Sequence, residues 1–372
     1  MARVRAAVSI GHDPSTLLAV YSDRSRRAVL RERVRAAAAT SLDDPAVDAL
    51  CAELFGFGPL QPFLEDPRVT DVLVNSPTEI YVEVDGRLER ADCSFRDRAE
   101  LADLAHRIAA SVGRELTIEQ PFVDARMRDG SRANAVIEPV GGPSLSIRTF
   151  RRQSLALSGP EPSWTAAGLA TDAAALLERA VLGRANIVVS GATGTGKSTL
   201  LRSLAAIVPA DERLIVIEDT NELALAHPHA VHLECVPGRD GGVRVADLVV
   251  NALRMRPDRI IVGEVRSPRE ASALLEALST GHAGSLTTLH ARSAVDAVGR
   301  LELLLSRAGE LASDAIRRHI RRSIDLVVHL ARDRDGHRIV REIVSISDAA
   351  DEPLWRYGQA GVSSAATRQA WA

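Results

Sequence analysis

The run "GATGTGKST", Gly191 to Thr199, has the spacing G-x-x-x-x-G-K-[ST] that phosphate chemistry requires. Gly191, Gly194 and Gly196 let the backbone N–H groups turn inward around phosphate oxygens, and Ala192, Thr193 and Thr195 complete the loop. Lys197 can reach the β and γ phosphates of ATP, Ser198 offers a hydroxyl to Mg²⁺, and Thr199 continues into a helix whose N-terminus favours anions. The chain holds 46 Lys and Arg residues, and Lys197 is the single lysine among them. A lysine retained where arginine serves everywhere else marks a position that needs a compact ammonium.

Phosphoryl transfer also needs carboxylates to orient a metal and an attacking water. "RLIVIEDT" ends in Glu218 and Asp219, and "RIIVGEVR" carries Glu264, each at the carboxyl end of an expected strand, where open α/β sheets bind ligands. "TGHAGSLTTLH" puts His282 and His290 around a further expected strand, eight residues apart, which is not helical metal-ligand spacing. A histidine after a neighbouring strand is placed to sense a γ-phosphate, although isolated histidines are more often structural. The expected site is therefore the loop with Glu218, Glu264, His282 and His290, and with Ser198, Glu264 and Asp219 around the metal.

Those residues need a sheet to align them. From about 166 to 350, short apolar runs alternate with helical patterns: Asn186 to Ser190, Arg213 to Glu218, Arg259 to Gly263 and Ser285 to His290 read as strands. The alternation predicts an α/β domain with a mostly parallel sheet covered on both faces. "SDAIRRHIRRSIDLVVHL" reads as a helix and then a strand, with Arg317, Arg318, Arg321 and Arg322 on a solvated or subunit-contact face rather than a DNA patch. Upstream, residues 1–54 read as a helical extension, with Pro45 starting a second helix. Residues 55–150 read as a smaller α+β domain: strands at Val72–Val74 and Ile80–Val84, a turn at Asp85-Gly86, a helix over Arg98–Ser111, and strands at Ala133–Glu138 and Ser144–Phe150. The Ser, Gly and Pro of residues 151–165 predict a linker, and residues 351–372 a flexible tail.

Composition bounds the alternatives. At 372 residues and 46% hydrophobic, the chain can bury two cores, which excludes disorder throughout. A formal net charge of -3 provides no global attraction for phosphate backbones, so nucleic acid is not the expected partner. Cys51, Cys93 and Cys235 are widely spaced, which predicts neither a disulfide framework nor a zinc knuckle. No apolar run approaches the roughly 18 residues of a spanning helix, and His12, Asp13 and Pro14 interrupt any leader-like segment. The expectation is a cytoplasmic protein that meets membranes through partners.

Four motifs in order, at 191–199, 213–223, 259–266 and 280–290, together with "GFGPLQPFLEDPRVTDVLVN" and "FVDARMRDGSRANAVIEP", resemble the type II/IV secretion-system ATPase superfamily. The similarity runs over most of residues 50 to 345 and looks closest to the CpaF-like ATPases of tight-adherence (Tad) pili. The resemblance implies a RecA-like P-loop domain behind a smaller α+β domain, Mg²⁺-ATP hydrolysis, and a homo-hexameric ring. It also implies inner-membrane platform proteins as partners, with pilin or secreted protein moved indirectly. Glu218 is expected to polarise water and Glu264 to hold the metal shell. Arg126, Arg132 and Arg148 are the candidates for neutralising charge on the transferring phosphoryl group. Cys235 departs from the family, which often carries an arginine nearby. A ring motor that moves DNA shares these motifs and is the first rival; the second is a nucleotide-dependent switch with little turnover, against which the paired acids Glu218 and Glu264 argue.

Overall fold

The structure, a computed structural model, describes residues 18, 24–37, 43–84, 86–127, 129–150, 155–160, 162–220, 222–236, 242–309, 311–348, 350–359 and 361–363. The chain divides into two compact units, Met1–Arg151 and Arg152–Ala372.

The first unit begins with helices α1 (Arg24–Ala37) and α2 (Asp44–Phe55), which bury Leu30, Val34, Val47, Cys51 and Phe55 between them. Pro45 lies in the first turn of α2, and the Asp43 carboxylate accepts from the Ala46 N–H at 3.0 Å, so the helix starts where a residue without an N–H costs nothing. The first expected helix contains α1, and its residues ahead of Arg24, apart from Leu18, lie outside the described residues. After the short α3 (Gln61–Glu65) come β1 (Val69–Ser76), β2 (Glu79–Val84), β3 (Arg87–Arg90), α4 (Arg98–Ser111), β4 (Phe122–Arg126), β5 (Arg132–Val136) and β6 (Ser144–Arg148). The six strands form an antiparallel sheet in the order β3-β2-β1-β6-β5-β4. Val72, Val74, Ile80, Val82, Ala133, Ala135, Leu145 and Ile147 alternate onto one face and pack with Leu101, Leu104 and Ile108 of α4. The hairpin between β2 and β3 pairs Val84 with Arg87, and Gly86 takes φ 84°; Asp85 lies outside the described residues.

The second unit runs α5 (Thr171–Leu182), β7 (Ile187–Gly191), α6 (Lys197–Ala205), β8 (Leu214–Glu218), β9 (Ala230–Glu234), α7 (Val245–Ala252), β10 (Arg259–Val262), α8 (Pro268–Ser279), β11 (Leu286–Leu289), α9 (Ala294–Ala308), α10 (Ser313–Ser323), β12 (Leu326–Arg332), β13 (Arg338–Ser345) and β14 (Glu352–Arg356). Its eight-stranded sheet has the order β14-β13-β12-β7-β11-β10-β8-β9, parallel from β12 to β9 and antiparallel at β13 and β14. One core joins the sheet to α5 and α6, and a second joins its other face to α7 through α10. Strands β7, β8, β10 and β11 are buried at every position, as continuous apolar runs in a sheet covered on both sides must be.

Two boundaries differ from expectation. The stretch read as a linker is anchored: Leu157 and Trp164 are buried in the second unit, and the Trp164 indole N–H donates to Ser203 Oγ at 2.9 Å. The stretch read as a flexible tail supplies β14, whose Leu354 and Trp355 are buried against the same core. In both cases one or two large apolar side chains outweigh the Gly, Pro and Ser around them.

Candidate functional site

The phosphate loop joins the buried end of β7 to the start of α6, and its shape depends on glycine. Gly191 and Gly196 have φ of 156° and 97°. A Cβ at Gly191 would lie 2.6 Å from the Leu330 carbonyl oxygen and from Thr195 Oγ1. Thr195 Oγ1 donates to the Ala192 carbonyl at 2.8 Å and fastens the loop from within. Lys197, only 8% exposed, folds back so that Nζ donates to the carbonyls of Gly191 (3.1 Å) and Ala192 (3.0 Å). Burial lowers its pKa, opposed by the Glu264 carboxylate and reinforced by the Arg266 guanidinium. Ser198 and Thr199 are half-buried in the first turn of α6, while Ala192, Thr193 and Gly194 are exposed.

Parallel pairing brings the other strand ends to this loop. Leu289 of β11 pairs with Ser190 of β7, so His290 emerges beside Gly191, and His290 Nδ1 lies 3.3 Å from Lys197 Nζ. His290 Nε2 lies 2.7 Å from Glu264 Oε1. That buried oxygen nevertheless makes no hydrogen bond of acceptable geometry, which leaves it as a donor atom available to a cation. Glu264 Oε2 accepts from Arg266 Nε (2.9 Å) and Nη2 (2.6 Å), and Arg266 Nη1 reaches Asp219 Oδ2 at 2.6 Å. Lys197, His290, Glu264, Arg266 and Asp219 thus form one contiguous polar chain. Cys235, the departure from the family pattern, ends it by donating from Sγ to Asp219 Oδ1 at 3.4 Å; burial and the Asp219 charge push its thiol up to about 12.

Glu218 sits apart from that chain and deeper. It is 5% exposed, and Oε1 accepts from the N–H groups of Glu222 and Leu223, both at 3.0 Å. Desolvation raises its pKa to about 7 despite those two bonds. Gly263 makes room for it: a Cβ there would lie 2.9 Å from Glu218 Cγ.

The sequence-expected residues therefore separate into three groups. Gly191 to Thr199, Glu218, Asp219, Glu264 and His290 meet at the carboxyl edge of the parallel sheet. His282 does not: it precedes β11 at the opposite edge, its ring held by the Ala277 carbonyl (3.1 Å) and Thr280 Oγ1 (3.3 Å) at the end of α8. Eight residues that include a four-residue strand span the sheet, so the two histidines cannot share an edge. Arg126, Arg132 and Arg148 belong to the first unit and stand in one register row across β4, β5 and β6, on the face away from α4. Arg148 Nε donates to Asp71 Oδ1 at 2.9 Å in the same row.

Two arginines were missed. Arg266 bridges both metal-side acids, and Arg332 Nη2 donates to the Gly194 carbonyl of the phosphate loop at 3.2 Å. In a chain this rich in arginine neither stands out; only the acid two residues before Arg266 hinted at it. The arginines of α10 are largely matched: Arg317 pairs with Glu302, Arg321 with Asp351 and Arg322 with Asp348. Among the described residues, Asp333, Asp335 and His337 also have metal-ligand spacing, but Asp333 Oδ1 already accepts the Asp335 and His337 N–H groups of its hairpin turn.

Residues 53–365 match the family model described as type II/IV secretion system protein. A putative conjugal transfer protein of Mycobacterium tuberculosis is 39% identical over 314 residues, covering 81% of this chain and 87% of that protein. The type IV secretion system protein VirB11 of Brucella suis is 33% identical, covering 77% and 88%. Among solved structures, the ATPase DotB of Legionella pneumophila shares the fold with a TM-score of 0.55 at 24% identity, covering 78% of this chain and 80% of that one. No helix among the described residues is long and apolar enough to cross a membrane.

Proposed function

The chain belongs to the type II/IV secretion system protein family, and from that premise we propose that it is an ATP-hydrolysing motor of a secretion or pilus-assembly machine, working as a homo-hexamer on platform proteins at the inner membrane. The observation that carries this reading is the chain of side chains from Lys197 through His290, Glu264 and Arg266 to Asp219 at the mouth of the phosphate loop.

The residues suit Mg²⁺-ATP. The loop N–H groups and Lys197 bind and orient the triphosphate, and Nζ exchanges its loop carbonyls for phosphate oxygens. Ser198, Glu264 and Asp219 would hold Mg²⁺, which neutralises developing charge when bound. Arg266 holds Glu264 Oε2 and Asp219 Oδ2, which leaves Glu264 Oε1 for the metal. Glu218, with a pKa near 7, is suited to hold a proton from the attacking water. His290 touches the lysine that contacts the γ-phosphate and can register its presence. Arg126, Arg132 and Arg148 would supply positive charge from the first unit, as a row and not as one finger.

Coupling to a Tad/Flp-type pilus rests on the motif resemblance. A second reading, transfer of DNA, is favoured by the conjugal role in the name of a relative at 39% identity. Against it stand the net charge of -3 and the acid-matched arginines of α10.

Steady-state Mg²⁺-ATP hydrolysis by the wild type and by Lys197→Ala, with and without single- and double-stranded DNA, tests the reading. Loss of about 10²–10³-fold with Lys197→Ala, the range for removing one transition-state donor, and indifference to DNA support a secretion or pilus motor. Strong DNA stimulation favours the DNA-transfer reading. Hydrolysis unaffected by the substitution would remove Lys197 and the motor mechanism with it.

A further inference from the structure

The segment from His290 to Ala294 leads from β11 into α9, and it is tied to strands β12 and β13 by a buried and a half-buried polar group that the hydrolysis chemistry does not use. His329 of β12 is 5% exposed and Ser190, the residue before the phosphate loop, is fully buried; His329 Nδ1 lies 2.9 Å from Ser190 Oγ. The Arg292 backbone carbonyl lies close enough to the same ring to act against the lowering of its pKa. One strand over, Glu342 pairs in register with His329, and its Oε1 accepts the Ala294 N–H at 3.0 Å. Asp296 Oδ2 accepts the Arg292 N–H at 2.8 Å. Two residues after His290, the backbone is therefore held against the end of β7 through a single imidazole.

Burial lowers the His329 pKa, opposed by Glu342, Asp296 and the Arg292 carbonyl and reinforced by Arg341, so the ring is held neutral. A neutral imidazole accepts at one nitrogen and donates at the other. That matches a hydroxyl on one side and a carbonyl on the other.

We infer that His329 is a positioning residue: it locks the loop bearing His290 to the strand bearing the phosphate loop, so that His290 stays within reach of Lys197 and distinguishes a nucleotide with a γ-phosphate from one without. The inference rests on the nucleotide reading of the site and deepens it. Asparagine can imitate the acceptor at Nδ1, glutamine the donor at Nε2, and phenylalanine neither.

The test is a double-mutant cycle in the full chain, with kcat and the equilibrium affinities for ADP and a non-hydrolysable ATP analogue as readouts. His329→Phe is expected to reduce kcat and the preference for the ATP analogue over ADP by about 10-fold, with ADP affinity unchanged. In a His290→Ala background the same substitution should change kcat less than about 2-fold. His329→Asn or His329→Gln should recover part of the loss. Ser190→Ala, which removes one of the two bonds, should reproduce it in weaker form and serves if His329→Phe does not fold. Equal losses in both backgrounds, or equal weakening of ADP and analogue, would overturn the inference, because a general packing defect is blind to His290 and to the γ-phosphate. Absence of nucleotide binding by the wild type would instead bring down the reading of the site itself.

Discussion

Glu218 and Glu264 occupy corresponding strand ends, yet their surroundings separate them. Glu264 lies against Arg266 and His290, whereas Glu218 is buried behind Gly263 with two backbone donors and titrates near pH 7. The consequence for stability has a definite sign. The folded-state pKa lies above the unfolded value of 4.5, so the native state binds the proton more tightly and stability falls as pH rises from about 4.5 to about 7. Glu218→Gln keeps the shape without the charge. It should melt close to the wild type at pH 5 and above it at pH 8, by on the order of 2–3 kcal/mol for a shift of this size, and calorimetry at the two pH values reads the difference. A gap that does not change with pH would mean that Glu218 ionises without cost. The strand-end acids were legible in the sequence because apolar runs of fixed length deliver them; which of the two is desolvated was not, because that depends on Gly263 and on the loop carrying Glu222 and Leu223.

Among the elements, β14 departs furthest from its sequence pattern. Glu352 to Arg356 contains a proline and follows a run of Ala and Asp, which argues for irregular chain. As an edge strand it needs only one set of partners, from β13, and Trp355 and Leu354 are buried at 1% and 0% exposure. Trp355→Ala should cost about 3–5 kcal/mol, the range for emptying a large aromatic site, and lower the melting temperature of the second unit. A loss below about 1 kcal/mol would show that β14 is dispensable packing. The row formed by Arg126, Arg132 and Arg148 carries the opposite lesson. Each arginine was a separate candidate in the sequence, and only the register of β4, β5 and β6 reveals that they share a face, since a one-residue slip would turn one of them into the core.

At the scale of the whole molecule, charge is dispersed: a net -3 over 372 residues, with most α10 arginines matched by acids, leaves no strong field to drive association with polyanions. The proposed homo-hexamer is a separate matter, and mass tests it. Native mass spectrometry or light scattering with Mg²⁺ and an ATP analogue is expected to give six times the chain mass. A monomer both with and without nucleotide would count against a ring motor.

The sequence by itself determined the local chemistry: the phosphate loop with its solitary lysine, the apolar strands that end in Glu218 and Glu264, the α/β alternation of the second unit and the smaller α+β unit ahead of it. These are legible because short-range spacing and hydrophobic periodicity are written in consecutive residues. Tertiary structure alone decided that His290 joins the site while His282 lies across the sheet, that Arg266 joins Glu264, two residues before it, to Asp219, 47 residues before it, and that Trp164 and Trp355 anchor segments that read as loose chain. Parallel pairing of β7 with β11 and β12 sets those neighbours, and the pairing is fixed by burial on both faces of the sheet, a constraint no single stretch of residues contains.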